Sequence, residues 1–239
     1  MELLEIISVW GIREPFSTLS HALGAVAALG ATIFLVRRAR KQGLRGLAVA
    51  VYGVTVVLAL TASALFHYVE VPPSRLDFYG TIDHVAIFLV IAWTGTAVYS
   101  TLESRWADRL VAIIWGLTIL AVTAEITVES LGGWKRALIY LAMGWAGSTG
   151  LIAVVRLETW RPLRSFIAGA VVFSVGAVVF ATDWPVLWPG IIEGHEVFHA
   201  LVLLGEAFHF HFVYQYCTCP TAFCRTGPEA VSASALDSS

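Results

Sequence analysis

The chain has 239 residues and a formal net charge of −2; 58% of its residues are hydrophobic and 13% are charged. Soluble domains carry roughly 25% charged residues, and the mean hydropathy here is +0.77, so the composition excludes a protein whose main solvent is water. The lack of excess positive charge argues against a nucleic-acid partner.

Seven charge-poor stretches follow one another along the chain, each close to the ~20 apolar residues that a helix needs to cross the hydrocarbon core. They predict an all-α fold, a bundle of seven transmembrane helices. Because the connections are short, residues 1–224 are expected to form one domain, and the small polar residues 225–239 a disordered tail. The predicted spans are Phe16–Val36, Leu47–Tyr68, Phe78–Leu102, Leu110–Thr127, Ala137–Val155, Ser165–Thr182 and Glu196–Tyr216.

The basic residues are distributed unevenly over the two membrane faces. Seven spans put the termini on opposite sides. The face of the N-terminus, called face A, carries four basic residues, and the opposite face B carries eleven. The positive-inside rule therefore predicts a multi-pass protein of the inner (plasma) membrane, with its N-terminus outside and its C-terminus in the cytoplasm. The four on face A are Arg13, Arg75, Lys135 and Arg136.

The three cysteines, Cys217, Cys219 and Cys224, all lie near the end of the chain. Because their number is odd and the predicted core has none, they imply no disulfide framework. Their spacing could suit a soft metal ion. We interpret them instead as unpaired thiols on the tail.

Histidines inside the predicted spans are concentrated near face A. An ionisable residue within a membrane is costly and needs a reason. His195 and His199 are four residues apart at the start of the seventh span, so both project from one helical face. His67 ends the second span at a similar depth. Three imidazoles with one open position are the pattern of a catalytic zinc site, so the sequence predicts Zn2+ bound by these histidines.

Two further polar residues are candidates for chemistry beside the metal. Asp83, early in the third span, could orient a water at the metal or accept its proton; alternatively, it is an acid favoured by a helix N-terminus. Ser63, one turn before His67, either takes part in the same site or is a packing residue whose hydroxyl hydrogen-bonds the backbone of its own helix. For His21 and His84, metal binding and a structural hydrogen bond both stay open.

Residues 195–199 also match the H-E-x-x-H pattern of zinc proteases, in which Glu196 would be the general base. The further ligand motifs of those proteases are missing downstream, so we reject this interpretation. His209 and His211 lie deeper, towards face B, and are interpreted as structural residues.

Four stretches resemble the hemolysin III family, the bacterial branch of the progestin and adipoQ receptor (PAQR) family. They occur in family-like order over nearly all of the chain, although many members have Asn where this chain has Ser17. The resemblance implies zinc held by the residues that match His67, His195 and His199, with an aspartate near a zinc-bound water. Asp83 matches that aspartate better than Asp77 does, because of the apolar run after it. The stretches are residues 14–24, 63–67, 82–89 and 194–199, the last continued by 208–210.

Three functions stay open, and the resemblance implies the first two. The leading one is a zinc-dependent intramembrane hydrolase of a lipid amide or ester, with Asp83 and Ser63 as catalytic residues and a sphingolipid or ceramide-like membrane lipid as partner. The first alternative is a pore-forming or membrane-disrupting hemolysin. The second is a non-enzymatic membrane-homeostasis protein in which zinc is structural. The middles of the spans are apolar, which counts against a pore built by one subunit.

Overall fold

The computed structural model describes residues 8, 11–42, 46–102, 104–128, 132–151 and 163–218. Within these ranges the chain forms seven helices and no β-sheet, which confirms the predicted all-α membrane bundle. Six of the helices are long and apolar enough to cross a membrane; α5, with 16 residues, is the exception. The helices are α1 (Pro15–Lys41), α2 (Leu47–Tyr68), α3 (Pro73–Tyr99), α4 (Arg105–Thr127), α5 (Gly133–Ser148), α6 (Leu163–Thr182) and α7 (Gly194–Cys217).

Six of the seven described helices begin earlier than the apolar stretches predict, and the difference is largest, five residues, for α3 and α4. α3 starts at Pro73 rather than Phe78, because a proline at the first helical position is already fixed in a helical φ and lacks only an N–H that would be unpaired there. α4 starts at Arg105 rather than Leu110. The first turn of α4 is charged, so a prediction based on apolar residues alone does not include it. The bounds of α2 are as predicted.

The end of α7 corrects part of the interpretation of the cysteines. Cys217 is 4% exposed and is the last residue of α7, so it belongs to the bundle rather than to a tail. It packs in the same core cluster as Val213 and Tyr216. Cys219, Cys224 and the expected tail 225–239 lie outside the described residues, as does the end of the predicted fifth span.

The helices approach closely where one of them carries glycine, as is usual in lipid. The most extensive contacts are between α1 and α2 and between α6 and α7. In the first pair, Gly53 lies against Thr32, and any side chain at Gly53 would collide with it. In the second pair, a Cβ at Gly205 would come within 2.9 Å of the Phe173 ring.

The outer surface of the bundle is apolar. Leu23 and Leu120 are 70% and 68% exposed, whereas Tyr52, Phe88 and Phe212 are almost fully buried. A surface of this kind would drive aggregation in water, but it suits contact with lipid chains. Several polar side chains are instead buried inside the bundle near face A, among them Ser17, His21, Ser63, His67, Asp83 and His199.

The start of α7 is fixed by a capping box that sets the height of its first turn. The Glu196 carboxylate accepts a hydrogen bond from the Glu193 N–H at 3.0 Å, and the Glu193 carboxylate accepts one from the backbone of Glu196 in return. Gly194 lies so close to the chain at the end of α6 that a Cβ would come within 2.5 Å of the Asp183 carbonyl carbon. The first turn of α7 is therefore held against the end of α6.

Candidate metal centre

The three predicted metal ligands come together between the end of α2 and the start of α7. One nitrogen each of His67, His195 and His199 lies within 4.8 Å of the other two. The ring centroids form a nearly regular triangle with sides of 4.5, 4.6 and 5.1 Å. His67 and His199 are 1% and 3% exposed, whereas His195 is the more open of the three.

The donor set fits zinc. His195 Nε2 and His199 Nε2 are 2.9 Å apart. Two nitrogen ligands of a tetrahedral zinc ion, each at ~2.0–2.1 Å from the metal, lie ~3.3 Å from one another. The outer nitrogens of two ligands already have partners, which leaves their inner nitrogens as lone-pair donors. Three neutral imidazoles with an outer layer of hydrogen bonds are the arrangement expected around zinc.

Glu14, just before α1, supplies one of these outer partners, although no sequence motif singled it out for this role. Its Oε2 is hydrogen-bonded to His67 Nδ1 and lies 3.5 Å from His195 Nε2, while its Oε1 pairs with the Arg13 guanidinium at 2.7 Å. Burial alone would raise the pKa of the Glu14 carboxyl, but the hydrogen bond with His67 and the neighbouring positive groups outweigh it, so the pKa lies below its usual value.

The backbone holds this segment in place under the end of α2. The Glu14 N–H donates to the His67 carbonyl oxygen at 3.0 Å, and an Arg13 guanidinium N–H donates to the Phe66 carbonyl oxygen at 2.8 Å. The Arg13 guanidinium also lies over the Phe66 ring, 4.8 Å from its centroid. The sequence shows a carboxylate, Glu14, just outside the first predicted span, which could have drawn attention to this residue. Residue spacing could not show that its partner is His67.

His21 supplies the second outer partner. Its Nε2 lies 2.9 Å from His199 Nδ1, and the residue is 3% exposed on α1. The geometry thus answers the open question about His21: it contacts a predicted ligand rather than joining the cluster of converging nitrogens. Each ring nitrogen of His199 thus has a histidine nitrogen 2.9 Å away: His21 Nε2 on the outer side and His195 Nε2 on the inner side.

Asp83 and Ser63 lie beside the triad, on α3 and α2. Both are buried, at 8% and 4% exposure, and both line the same cavity as the three histidines. The Ser63 hydroxyl lies next to the Asp83 carboxyl. The Asp83 oxygens are not among the atoms that converge with the histidine nitrogens. Asp77, the other candidate aspartate, is exposed and does not line the cavity.

His84 belongs to a separate network that joins three helices at the same end of the bundle. Its Nδ1 lies 2.9 Å from Glu125 Oε1 on α4, and Glu125 Oε2 accepts a hydrogen bond from Arg136 Nε on α5 at 2.9 Å. Tyr140 donates to the His84 carbonyl oxygen at 3.1 Å. His84 is therefore engaged away from the triad, and the partly buried pair of Glu125 and Arg136 stabilises the wall next to it.

The carboxylate of Glu196 is used in hydrogen bonds around the start of α7. Beyond the capping box, its Oε1 accepts a hydrogen bond from the Ser17 hydroxyl at 3.4 Å. Glu196 can be grouped with Glu14 and His195 as three close ligand atoms. Its two oxygens nevertheless serve the start of α7 and the contact with α1, which agrees with rejecting the protease interpretation.

A cavity of about 260 Å³ opens from the triad into the bundle. Its walls come mostly from α2, α3, α5, α6 and α7, with His21 of α1 and Ile114 of α4 also contributing. They are mainly apolar, with Leu60, Ile91 and Phe173 among them. At its deeper part it reaches Glu206 and His209. The histidines thus lie at one end of a hydrophobic chamber that can hold a chain of carbon atoms.

Comparison with known proteins gives one family. The model of the family described as "Haemolysin-III related" matches residues 10–210. "Hemolysin-3" of Bacillus cereus is 32% identical over 213 residues, covering 88% of this chain and 94% of that protein. The "Heptahelical transmembrane protein ADIPOR1" of Oryza sativa subsp. japonica is 26% identical over 64% of this chain and 46% of its own length. The human "Monocyte to macrophage differentiation factor" is 24% identical over 73% of both chains.

Proposed function

This chain belongs to the haemolysin-III related family, and from that membership we propose that it is a zinc-dependent intramembrane hydrolase of a lipid amide or ester. The observation that carries the proposal is the convergence of His67, His195 and His199 at one end of an apolar cavity, with Asp83 and Ser63 beside them. A ceramide-like lipid fits this arrangement, because its polar amide would lie at the histidines while its acyl chain fills the chamber.

Some of these residues would hold the metal, and others would take part in the hydrolysis. Zinc bound by the three histidines would supply a Lewis acid and make water acidic enough to react near neutral pH. Glu14 and His21 hold the rings of His67 and His199 in one orientation through their outer nitrogens. Asp83 accepts the proton of the attacking water and passes it to the leaving nitrogen or oxygen as the amide or ester bond breaks and the new carbonyl–oxygen bond forms. Ser63 donates a hydrogen bond to Asp83 or to the substrate carbonyl oxygen.

The direct test combines metal analysis with hydrolysis. Purified protein should contain about one zinc ion per chain and should cleave at least one amide or ester in a panel of ceramides, acyl amides and acyl esters in lipid vesicles. His67→Ala should lose both properties. His211→Ala is the matched control, since His211 is an exposed histidine on α7 that neither converges with the triad nor lines the cavity. Stoichiometric zinc in His67→Ala would remove the basis of the proposal.

One observation favours the structural-zinc alternative. The Glu14 carboxylate contacts the outer nitrogen of His67 and comes within 3.5 Å of His195 Nε2. A turn of its side chain away from His67 Nδ1 would bring it to the fourth position around the metal. A zinc ion with four protein ligands is typical of structural sites, and the chain would then be a non-enzymatic membrane-homeostasis protein. Zinc-loaded protein that cleaves no lipid in the panel, combined with complete loss of zinc in Glu14→Ala, would favour this alternative.

The pore alternative draws on the name of the Bacillus cereus relative, "Hemolysin-3". Leakage of a dye from vesicles measures it directly. A water-filled pore needs a continuous polar lining, whereas the walls of the cavity are mainly apolar, so we expect no leakage at protein levels that support hydrolysis.

We further propose the inner (plasma) membrane as the location, with the N-terminus and the triad on the outer side. Two of the four basic residues on face A pair inside the protein, Arg13 with Glu14 and Arg136 with Glu125. The sequence places four basic residues on face A and eleven on face B. That excess favours a cytoplasmic face B.

A further inference from the structure

A polar stripe continues along α7 from the triad into the middle of the membrane. His195, His199, Glu206 and His209 all line the cavity, and their spacings of four, seven and three residues keep them on one helical face. The first two belong to the site described above. The other two lie deeper, where the hydrolase proposal needs only an apolar wall.

Burying the carboxyl group of Glu206 at that position costs free energy. It is 9% exposed, and its carboxyl has one protein partner, the Tyr52 hydroxyl, which donates to Oε1 at 2.7 Å. Among the described residues, none forms a hydrogen bond with its other oxygen. A buried carboxyl needs several hydrogen-bond partners to offset the loss of water, so this group still has bonding capacity, and it lines a cavity.

His209 has the same deficiency one turn further along. Its Nε2 is buried and has no hydrogen-bond partner among the described residues. The ring is fixed between aromatic side chains of α6: it stacks on Phe166 with centroids 4.7 Å apart and meets Phe173 edge-on at 5.2 Å. A rigid imidazole and a carboxyl therefore stand close together in an otherwise apolar stretch.

The distance from the triad limits what these groups can recognise. Seven residues of helix separate His199 from Glu206 and ten separate it from His209, which is ~10–15 Å along the axis at ~1.5 Å per residue. An extended chain of carbon atoms advances ~1.2 Å per bond, as a peptide backbone does. A lipid group at Glu206 or His209 would therefore be about eight to twelve bonds from a carbonyl at the histidines.

We propose that Glu206 and His209 form a second polar subsite, which recognises a hydroxyl or keto oxygen in the middle of an acyl chain. This inference rests on the proposed function, because it assumes that the carbonyl end of the chain lies at the triad. It deepens that proposal by naming the substrate class as mid-chain oxygenated lipids. An unsubstituted chain fits the same space but adds no hydrogen bond to either group, so Glu206 keeps only its bond from Tyr52 and His209 Nε2 has no partner among the described residues.

The test is a positional series of fatty acids on the intact, zinc-loaded protein, measured by displacement of a fluorescent fatty acid. The probes are stearic acid and its hydroxy derivatives with the hydroxyl on carbon two, carbon ten or carbon eighteen. We expect the carbon-ten derivative to bind about three- to tenfold more tightly than stearic acid, the scale of one or two net hydrogen bonds. The other two derivatives should show no such gain.

Variants assign the preference to Glu206. Glu206→Leu should abolish the gain for the carbon-ten derivative, whereas Glu206→Gln, which keeps a hydrogen-bonding group, should retain it. Leu204→Ala is the matched control on the outward face of α7, where Leu204 is 47% exposed. The control should retain the preference.

Each outcome separates the two proposals. Equal binding of all four acids to the wild type would overturn the subsite and leave the hydrolase proposal standing. A preference that persists in a protein without any hydrolytic activity would keep the subsite and remove the hydrolase. If no fatty acid displaces the probe, the chamber is not an acyl site and both proposals fail.

Discussion

Replacing Asp83 by Asn separates the role of this residue in chemistry from any role in holding the site. The two side chains have nearly the same shape, and Asp83 is 8% exposed, next to the Ser63 hydroxyl. The amide oxygen of Asn can still accept a hydrogen bond from Ser63, so the free energy of unfolding should change by no more than ~1 kcal/mol. The amide cannot accept a proton from water at neutral pH.

The expected loss of activity is large. Asp83 oxygens are not among the converging ligand atoms, so Asp83→Asn should keep about one zinc ion per chain. A missing general base lowers rates by ~10²–10⁴-fold, which corresponds to ~2.7–5.4 kcal/mol in the activation barrier at ~1.36 kcal/mol per factor of ten. His195→Ala, in contrast, should lose zinc and activity together.

The assay needs three readouts on the same purified samples: zinc content by mass spectrometry, thermal unfolding, and release of fatty acid from the lipid that the wild type cleaves. Full zinc, normal unfolding and an undiminished rate in Asp83→Asn would refute the assignment of Asp83 as the base. A joint fall in zinc content and melting temperature would instead show that Asp83 is a structural partner of the site.

Three further predictions concern the outer partner, the helix packing and the orientation. Glu14→Ala should keep the fold but raise the dissociation constant for zinc by ~10–100-fold, the usual effect of removing an outer hydrogen bond. A competition titration with a chelator measures this constant, and an unchanged value would contradict the role of Glu14. Gly53→Ala should lower the free energy of unfolding by ~1–3 kcal/mol through overpacking against α1. The control Gly30→Ala, at a position with open space, should be neutral or slightly stabilising. Similar melting temperatures for the two variants would argue against the tight contact between α1 and α2. In a variant without the native cysteines, Glu70→Cys should react with a membrane-impermeant reagent in intact cells, and Gln42→Cys only after the cells are opened; the reverse pattern would put the triad on the cytoplasmic side.

The bundle could be predicted from the sequence because its helices are defined by apolar length, a property of consecutive residues. The bounds of α2 coincide with its apolar stretch. α4 shows where this fails, since its first turn at Arg105 and Asp108 is helical but charged. Apolar length measures the part of a helix inside the hydrocarbon and says nothing about turns that continue into the interface.

The triad was predictable for a similar reason. His195 and His199 are linked by helical spacing, and His67 shares their depth because even- and odd-numbered spans run in opposite directions. Glu14 and His21 were different: their roles depend on how the segment before α1 and the first turns of α1 approach α2 and α7 in three dimensions. No spacing rule connects Glu14 with His67, which lies 53 residues further along.

Because α7 carries two of the three histidines and is the last described helix, its place in the chain determines when the three can come together. During synthesis, α1 and α2 enter the membrane first and bring Glu14, His21 and His67, but only one of the three converging nitrogens. His195 and His199 arrive with the last described helix, so the affinity of the nascent chain for zinc should rise abruptly once α7 has inserted. Metal acquisition would then mark the completion of membrane assembly, and chains stalled before α7 would remain metal-free and distinguishable from finished ones.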